Sequence, residues 1–348
     1  MASTPAVSVI IPLYDAEEHL AECLNSVLAQ TFQDFEIILI NSGSTDGSRQ
    51  VADDYLERFG GRLKIYDQDK NFGAAAARNK GLVLSHGEYI FFADSDGVFK
   101  RTALEEMYKF AEEFGAEVVY CERFLESDEA GENIQTKVST GFKSVAKPKF
   151  EPEDLAERLE YISIAGFLGT TWNKLVRRDF LLEREISFPN LTSCEDYIWT
   201  LGLFFFAKKF LRVPNANYVH RLSKNSVDEL PLSRQKRTIL GLDAVILGIK
   251  TLNQMMNKVE FLKENTPYRY RILEKLSLNT FDRLSENQNT LHVPSYYIYW
   301  AIKDEFGDKL GEQDALISVL CSLIDRYQKI IEENKEKIAE LEEKLKAK

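Results

Sequence analysis

The chain is poor in cysteine and has no long apolar run. Its 348 residues contain four cysteines, which lie far apart without a CxxC pair: Cys23, Cys121, Cys194 and Cys321. This spacing argues against a zinc cluster or a disulfide framework and favours a reducing compartment. The apolar run 7–13 is short for a secretory signal, and no stretch reaches the roughly 20 apolar residues of a transmembrane helix. We therefore expect a cytoplasmic protein.

Basic residues are in the minority. The chain has 44 Lys and Arg against 55 Asp and Glu, a formal net charge of −11. Nucleic-acid binders usually carry a basic footprint, so we expect no nucleic-acid partner. A local basic patch could still meet a phosphate or an anionic lipid, which leaves peripheral contact with the inner face of the membrane open.

The first 125 residues alternate between strand-like and helix-like segments. Apolar, β-branched runs predict strands at 7–14, 35–41, 62–68, 88–94 and 116–125. Helical patterns stand between them at 16–31, from the turn 42–48 to Phe59, at 71–87 and at 101–115. Strands that alternate with helices predict right-handed βαβ units and a mostly parallel sheet, hence an α/β fold.

The second half of the chain is predicted to be mainly helical. Residues 126–150 are polar and predict a long loop or hairpin, and 170–210 interrupt the helical patterns that follow. Near the C-terminus, a row of residues that is apolar except for Asn334 recurs at spacings of four and three: Leu320, Ile324, Tyr327, Ile331, Asn334, Ile338, Leu341 and Leu345. This heptad pattern predicts a coiled-coil-like helix and a homo-oligomer. Membrane contact by the same helix is the alternative, although its many glutamates disfavour anionic lipid.

Two carboxylates stand at the end of one predicted strand. EYIFFADSDG places Asp94 and Asp96 there, and Tyr14 and the segment 41–46 stand at the ends of two other strands. In open α/β sheets, ligands bind outside the carboxyl ends of the strands. Hard oxygen ligands one residue apart suit Mg²⁺ or Mn²⁺ when phosphate and water fill the remaining positions. The alternative is that one acid caps the next helix and the other is solvated.

Several motifs together resemble one enzyme family. VSVIIPLYDAEEHLAECLNSVLAQTFQDFEIILINSGSTDGS, NFGAAAARNKG, EYIFFADSDG, WNKLVRRDFLLEREISFPN and CEDYIW occur in the order and spacing of family-2 glycosyltransferases of the GT-A fold, the type that builds bacterial surface glycans. The resemblance covers about residues 5–226. We accordingly expect a GT-A domain at 1–226, with a nucleotide-binding half at 1–125 and an acceptor-side half at 126–226. A helical region at 227–315 and the heptad-patterned helix at 316–348 would follow.

The resemblance implies a binding site for a nucleotide-sugar donor and its metal. Asp96 would be the principal ligand of Mn²⁺ or Mg²⁺, and Asp94 would hold the ribose or a metal-bound water. Ser95 would contribute through its backbone, and Arg78 would pair with the turn carboxylates or the nucleotide, or else form a structural ion pair. The remaining residues expected around the nucleotide are Pro12, Leu13, Tyr14, Asn41, Ser42 and Asp46.

The resemblance also implies a catalytic base for an inverting transfer to a glycan hydroxyl. Asp196 would be that base, with Glu195 beside it, although two acids at a helix N-terminus also suit the helix dipole. Trp172 is expected either to stack on a sugar or to fill the core. His220 could complete the metal shell, and Arg221 could reach the diphosphate or the acceptor.

The sequence departs from the family pattern at two positions. Asn41–Ser42 stands where the family has a pair ending in an acid that accepts a hydrogen bond from uracil, and Gly97 replaces the fourth acid of DSDD. The expected activity is that of a metal-dependent hexosyltransferase that uses a UDP-sugar as donor. A degenerate member that binds a nucleotide sugar or scaffolds partners without transfer is the alternative. A sugar nucleotidyltransferase ranks last, because the first strand lacks a Gly-rich, basic triphosphate loop.

Overall fold

The computed structural model describes residues 4–138, 144–165, 169–191, 194–222, 247–269, 271–273 and 276. The predicted heptad helix and the oligomer that it would form lie outside these residues. The chain divides into two compact units, one made of Met1–Leu191 and Glu195–Glu229, the other of Thr192–Cys194 and Leu230–Lys348. In the second unit, 247–256 and Glu260–Glu264 are helical, in line with the helical pattern of the sequence.

The first unit contains an α/β sheet in the described residues. Its strands are β1 (Val7–Leu13), β2 (Phe35–Asn41), β3 (Leu63–Asp67), β4 (Tyr89–Phe92), β5 (Val98–Phe99), β6 (Val118–Ser127), β7 (Gln135–Val138), β8 (Lys149–Phe150), β9 (Lys174–Arg177) and β10 (Phe210–Arg221). Every residue of β2 is buried, as expected for a strand that is covered on both faces.

Helices cover this sheet. They are α1 (Glu17–Leu28), α2 (Ser48–Asp54), α3 (Ala74–Leu84), α4 (Ala103–Phe114), α5 (Leu155–Ala165), α6 (Arg178–Glu183) and α7 (Glu195–Phe206). Leu20, Leu24 and Val27 of α1 are buried, as their helical spacing predicts. α4 ends at Gly115, whose left-handed conformation (φ 57°) favours glycine. Within the described part of the chain, no helix is both long and apolar enough to cross a bilayer.

The sheet is mixed in direction. Its main path runs β3-β2-β1-β4-β9-β6-β10-β5, with β7 added to β6 and β8 to β10. β1, β2, β3 and β4 pair in parallel, as the alternating pattern of the first half predicts. The sheet is less parallel than expected beyond β4, because β9 lies antiparallel between β4 and β6. Residues 126–150 form the expected hairpin in part, since β7 pairs antiparallel with β6.

The antiparallel strands bring further residues to the end of the sheet at which the parallel strands finish. Ligand sites in parallel sheets lie beyond the carboxyl ends of the strands, here beyond β1, β2 and β4. β9 runs in the opposite direction, so it begins at that same end of the sheet. Its first residue is Lys174, and the segment 170–173 comes directly before it. β5 pairs antiparallel with β10, Val98 opposite Val219, which brings His220 towards the DSD segment.

Candidate active site

β10 holds the loop that carries the two acids of the DSD motif. The hydroxyl of Tyr218 accepts a hydrogen bond from the backbone N–H of Asp94 at 3.0 Å. A Cβ atom added to Gly97 would lie 1.8 Å from the same hydroxyl oxygen. Position 97 therefore has no room for the fourth acid that the family pattern contains.

Arg78 of α3 joins this loop to the start of α7. Its Nη2 lies 3.1 Å from Oδ1 of Asp94, and its Nη1 lies 3.2 Å from Oε1 of Glu195. The Arg78 side chain is only 8% exposed. α3 packs closely on β1, since a Cβ added to Gly81 would lie 2.3 Å from Cγ2 of Ile10. One buried guanidinium thus links two acids that are 101 residues apart in the chain.

The charges around Arg78 are mutually dependent. Burial lowers the pKa of the Arg78 guanidinium, but the charges of Asp94, Glu195 and Asp196 outweigh burial and raise it on balance. Burial and the charge of Asp196 raise the pKa of Glu195, and Arg78 opposes that rise. Arg78 therefore stays charged and stabilises the ionised form of the acids beside it.

Asp94 and Asp96 offer carboxylate oxygens to a cation. Burial and the charge of Asp94 raise the pKa of Asp96, whereas His220 acts to lower it. A divalent ion would relieve the repulsion between the two acids, so the donor set fits the Mg²⁺ or Mn²⁺ expected from the sequence. Within the described residues, no group of three or more His, Cys, Asp or Glu could hold a metal ion. Such an ion would need phosphate and water ligands as well.

Trp172 and His220 pack together beside the DSD loop. The Trp172 ring lies 5.0 Å from the His220 ring at an interplanar angle of 11°, and 5.3 Å from the Tyr218 ring at 15°. Trp172 is 4% exposed and belongs to the hydrophobic core, in keeping with the core alternative. The Nδ1 atom of His220 is buried, and none of the residues that the structure describes gives it a hydrogen-bond partner.

Glu195 and Asp196 begin α7, as the CEDYIW motif predicts. Both acids lie in its first turn, where the helix dipole favours negative charge. Oδ1 of Asp196 accepts the backbone N–H of Tyr197 at 2.8 Å. Glu195 faces Arg78, and Asp196 acts on both Arg78 and Lys174 through its charge. The two adjacent acids therefore differ in their surroundings.

The turn after β2 is held by hydrogen bonds. The amide of Asn41 makes two of these bonds: its Nδ2 donates to Oδ1 of Asp67 at 2.7 Å, and its Oδ1 accepts the N–H of Ser44 at 3.2 Å. The Ser42 hydroxyl donates to Oε1 of Gln68 at 3.0 Å. Ser42 and Gln68 thus keep hydrogen-bonding capacity for a further ligand.

The first strand contributes less side-chain surface than the sequence indicates. Leu13 is fully buried, and its carbonyl accepts the N–H of Ser42 at 2.8 Å. Pro12 is half-buried within β1, whereas Tyr14 is 46% exposed just beyond the strand end. Asp46 accepts the backbone N–H groups of Glu17 and Ser48, both at 3.0 Å. Burial would raise the pKa of Asp46, but these hydrogen bonds lower it on balance.

Arg221 is committed to neighbouring protein groups. It forms an ion pair with Glu22, donates to the carbonyl of Glu129 at 2.8 Å, and donates to the carbonyl of Asp96 at 3.4 Å. Its side chain is 3% exposed. In this arrangement Arg221 connects α1, the DSD loop and the hairpin loop between β6 and β7. Ser95 lies half-buried between Asp94 and Asp96.

Three residues at this site were missed by the sequence reasoning. Tyr218 binds the DSD backbone, Gln68 binds Ser42, and Lys174 is 2% exposed at the start of β9. For Gln68, its place at the end of a predicted strand was an available signal. For Tyr218 and Lys174, the signal depends on strand direction, which the apolar pattern does not give.

Comparisons with known proteins show the family to which the chain belongs. Residues 8–181 match the model of the family described as Glycosyl transferase family 2. The uncharacterized glycosyltransferase EpsJ of Bacillus subtilis is 29% identical over 65% of this chain and 64% of its own length. The poly(ribitol-phosphate) beta-glucosyltransferase of Bacillus spizizenii is 28% identical over 63% of this chain and 32% of its own length. The chain thus spans less than two thirds of either relative.

A solved structure shares the fold. Residues 1–349 of TarS from S. aureus, in complex with UDP-GlcNAc, align with a TM-score of 0.56 and 20% identity. The alignment covers 93% of this chain and 91% of that chain. The α/β architecture is therefore that of a GT-A glycosyltransferase, as expected. The family match covers half of the chain, and the protein belongs to glycosyltransferase family 2.

Proposed function

We propose that this enzyme transfers a sugar, with inversion, from a UDP-sugar to a hydroxyl of a bacterial surface-glycan acceptor. The observation that carries the proposal is the ion-pair chain Asp94–Arg78–Glu195, which joins the DSD loop to the acids of α7. It links the residues proposed for the donor to those proposed for the acceptor. The arrangement therefore favours a transferase over a module that only binds nucleotides.

The chemical step asks for two functions from these residues. An acceptor oxygen attacks C1 of the sugar and forms the new C–O bond, while the bond from C1 to the diphosphate oxygen breaks and its electron pair leaves with the diphosphate. Asp196 is the proposed base that takes the acceptor proton. Glu195 is the neighbouring acid that Arg78 orients.

The donor end is assigned to the DSD loop. Asp96, Asp94 and, with less support, His220 are the proposed metal ligands, and the backbone of Ser95 lies between the two acids. A bound Mn²⁺ or Mg²⁺ would supply Lewis-acid stabilisation of the diphosphate leaving group. Exposed Tyr14 and the Ser42–Gln68 pair are the proposed contacts for the nucleoside.

The comparisons support the donor and acceptor classes. TarS binds UDP-GlcNAc in its crystal structure, and one relative is named for glucosyl transfer to poly(ribitol phosphate). By extension, we propose a UDP-hexose as the donor of this enzyme and a cell-surface polymer as its acceptor.

Calorimetric titration with UDP in the presence of Mn²⁺ tests the donor assignment. We expect UDP to bind the wild-type protein and binding to fall at least tenfold in Asp96→Ala, because the metal loses a carboxylate ligand. GDP and CDP are the nucleotide controls. Glu36→Gln is the matched control variant, because Glu36 is a buried acid near the opposite end of β2.

Each alternative gives a different result. Equal UDP binding by wild type and Asp96→Ala would remove Asp96 from the metal site. Preference for GDP or CDP would mean that the altered turn selects another base. Binding of none of the three nucleotides would favour the degenerate, scaffolding alternative.

A further inference from the structure

Lys174 is a buried cation that the proposed reaction does not yet use. It is 2% exposed and is the first residue of β9, at the end of the sheet where the proposed site lies. Its ammonium donates to the carbonyl of Thr170 and, at 2.8 Å, to Oδ1 of Asn173. Burial of an ammonium group costs free energy unless hydrogen bonds and an opposite charge compensate it. The acid whose charge acts on Lys174 is Asp196.

The segment before Lys174 packs against the first turn of α7. A Cβ added to Gly169 would lie 2.8 Å from Cα of Tyr197. Tyr197 follows Asp196 directly, and its N–H binds the Asp196 carboxylate. The turn that holds Lys174 and the turn that holds Asp196 are therefore in contact.

The charges support the same pairing. Burial lowers the pKa of Lys174 to about 7, and the charge of Asp196 acts against that fall. The charge of Asp196 also acts on Arg78 and Glu195. Arg78 binds Glu195 and Asp94 directly, whereas the Lys174 ammonium is a second buried cation on which the charge of Asp196 acts.

We propose that Lys174 is a positioning residue that keeps Asp196 ionised and oriented for proton abstraction. The proposal rests on the proposed function, because it assumes that Asp196 is the base. Lys174 takes no proton from substrate. It stabilises the carboxylate form of Asp196, so the base is available at a lower pH than it would be beside a neutral residue.

The first test uses stability and needs no substrate. Between pH 7 and 10.5 the native state binds fewer protons at Lys174 than the unfolded state, so the unfolding midpoint of wild type should rise with pH relative to that of Lys174→Met. In Asp196→Asn the ammonium loses its partner, so the rise should begin at lower pH. Superimposable profiles for wild type and Asp196→Asn would overturn the pairing.

The second test uses the rate of UDP release from UDP-GlcNAc with Mn²⁺. In Lys174→Met the acidic limb of the pH profile of kcat/KM should move up by about one pH unit, which lowers the rate about tenfold at pH values below that limb. Lys174→Arg should restore much of the shift, and UDP affinity should be unchanged. A merely structural role would lower the rate equally at every pH.

Controls separate the two proposals. Lys64→Met removes a lysine that pairs with Glu36 at the other end of the sheet, and its pH profile should match wild type. If Asp196→Asn retains the wild-type rate, the proposed base is wrong. If Asp196→Asn is inactive while Lys174→Met keeps the wild-type profile, only the role of Lys174 is wrong. If Lys174→Met does not fold, the stability profile of Asp196→Asn still decides.

Discussion

At the scale of single residues, Ser42 occupies the position where the family pattern has an acid. The structure gives it a partner that the sequence did not suggest, because its hydroxyl donates to Gln68. That bond uses the hydroxyl proton and leaves the oxygen lone pairs as acceptors. Asn41, the other residue of the altered pair, accepts the N–H of Ser44 with its amide oxygen. We therefore propose the neutral Ser42 hydroxyl as the hydrogen-bond acceptor for the nucleobase.

Ser42→Ala should weaken UDP binding about fivefold, the equivalent of about 1 kcal/mol for one neutral hydrogen bond. Calorimetry with UDP and Mn²⁺ measures the change. Ser85→Ala is a matched control, because Ser85 is also a buried serine and follows α3 at the opposite end of the sheet. If Ser42→Ala binds UDP with the affinity of wild type, the Ser42 hydroxyl does not bind the nucleobase.

At the scale of elements, one arginine anchors the hairpin formed by β6 and β7. Arg221 at the end of β10 binds the carbonyl of Glu129 in the hairpin loop, the side chain of Glu22 in α1, and the DSD backbone. The next N–H along the chain, that of Leu222, donates to the carbonyl of Ser127 at 3.0 Å. Loss of the arginine should release the loop from α1 without breaking the strand pairs of β6 and β7.

Arg221→Met should therefore speed proteolytic cleavage in the loop 128–134 several-fold, because local opening sets the rate of cleavage. Limited proteolysis followed by mass spectrometry measures it. Lys137→Met removes a more exposed ion pair, with Glu126, on the same hairpin and should cleave at the wild-type rate. Equal cleavage in all three proteins would mean that Arg221 does not anchor the loop.

Much of the element order was readable from the sequence. The runs 7–14, 35–41 and 62–68 became β1, β2 and β3 within one residue at each end, because continuous apolar runs between turn signals have few other solutions. β9 was not recognised, because its four residues lie in a segment of mixed pattern. The direction of β9 depends on pairing with β4 and β6, which are more than 45 residues away.

The candidate site was readable in part for the same reason. Asp94 and Asp96 follow a strand that is evident in the sequence. The ion pairs of Arg78 join residues 16 and 117 positions apart, so no local pattern reports them. The position of Arg221 also escaped prediction, since its partners come from three separate elements.

At the scale of the whole molecule, the described residues belong mostly to the first unit. The family match and the proposed site also lie there, between residues 8 and 221. The assignment of residues 316–348 to a coiled-coil helix stays a prediction from the heptad pattern.

Truncation after about residue 315 should lower the mass of the assembly in solution, because it removes the predicted oligomerisation seam. Light scattering coupled to size-exclusion chromatography measures the mass. Asn334→Leu is a milder variant that keeps the helix and changes the polar core position, so it should alter the number of partners. A truncated protein with the same number of subunits as the full chain would end the idea.

The contact between Gly97 and Tyr218 limits which residues position 97 can accept. The tyrosine hydroxyl fills the space next to the glycine, so an acid at position 97 becomes accessible only after the tyrosine has been replaced by something smaller. Conversely, a chain with an acid at position 97 must anchor its DSD backbone without this hydroxyl. The two positions are thus sterically coupled, and a designer who wants an acid at position 97 must first change position 218, which lies 121 residues downstream.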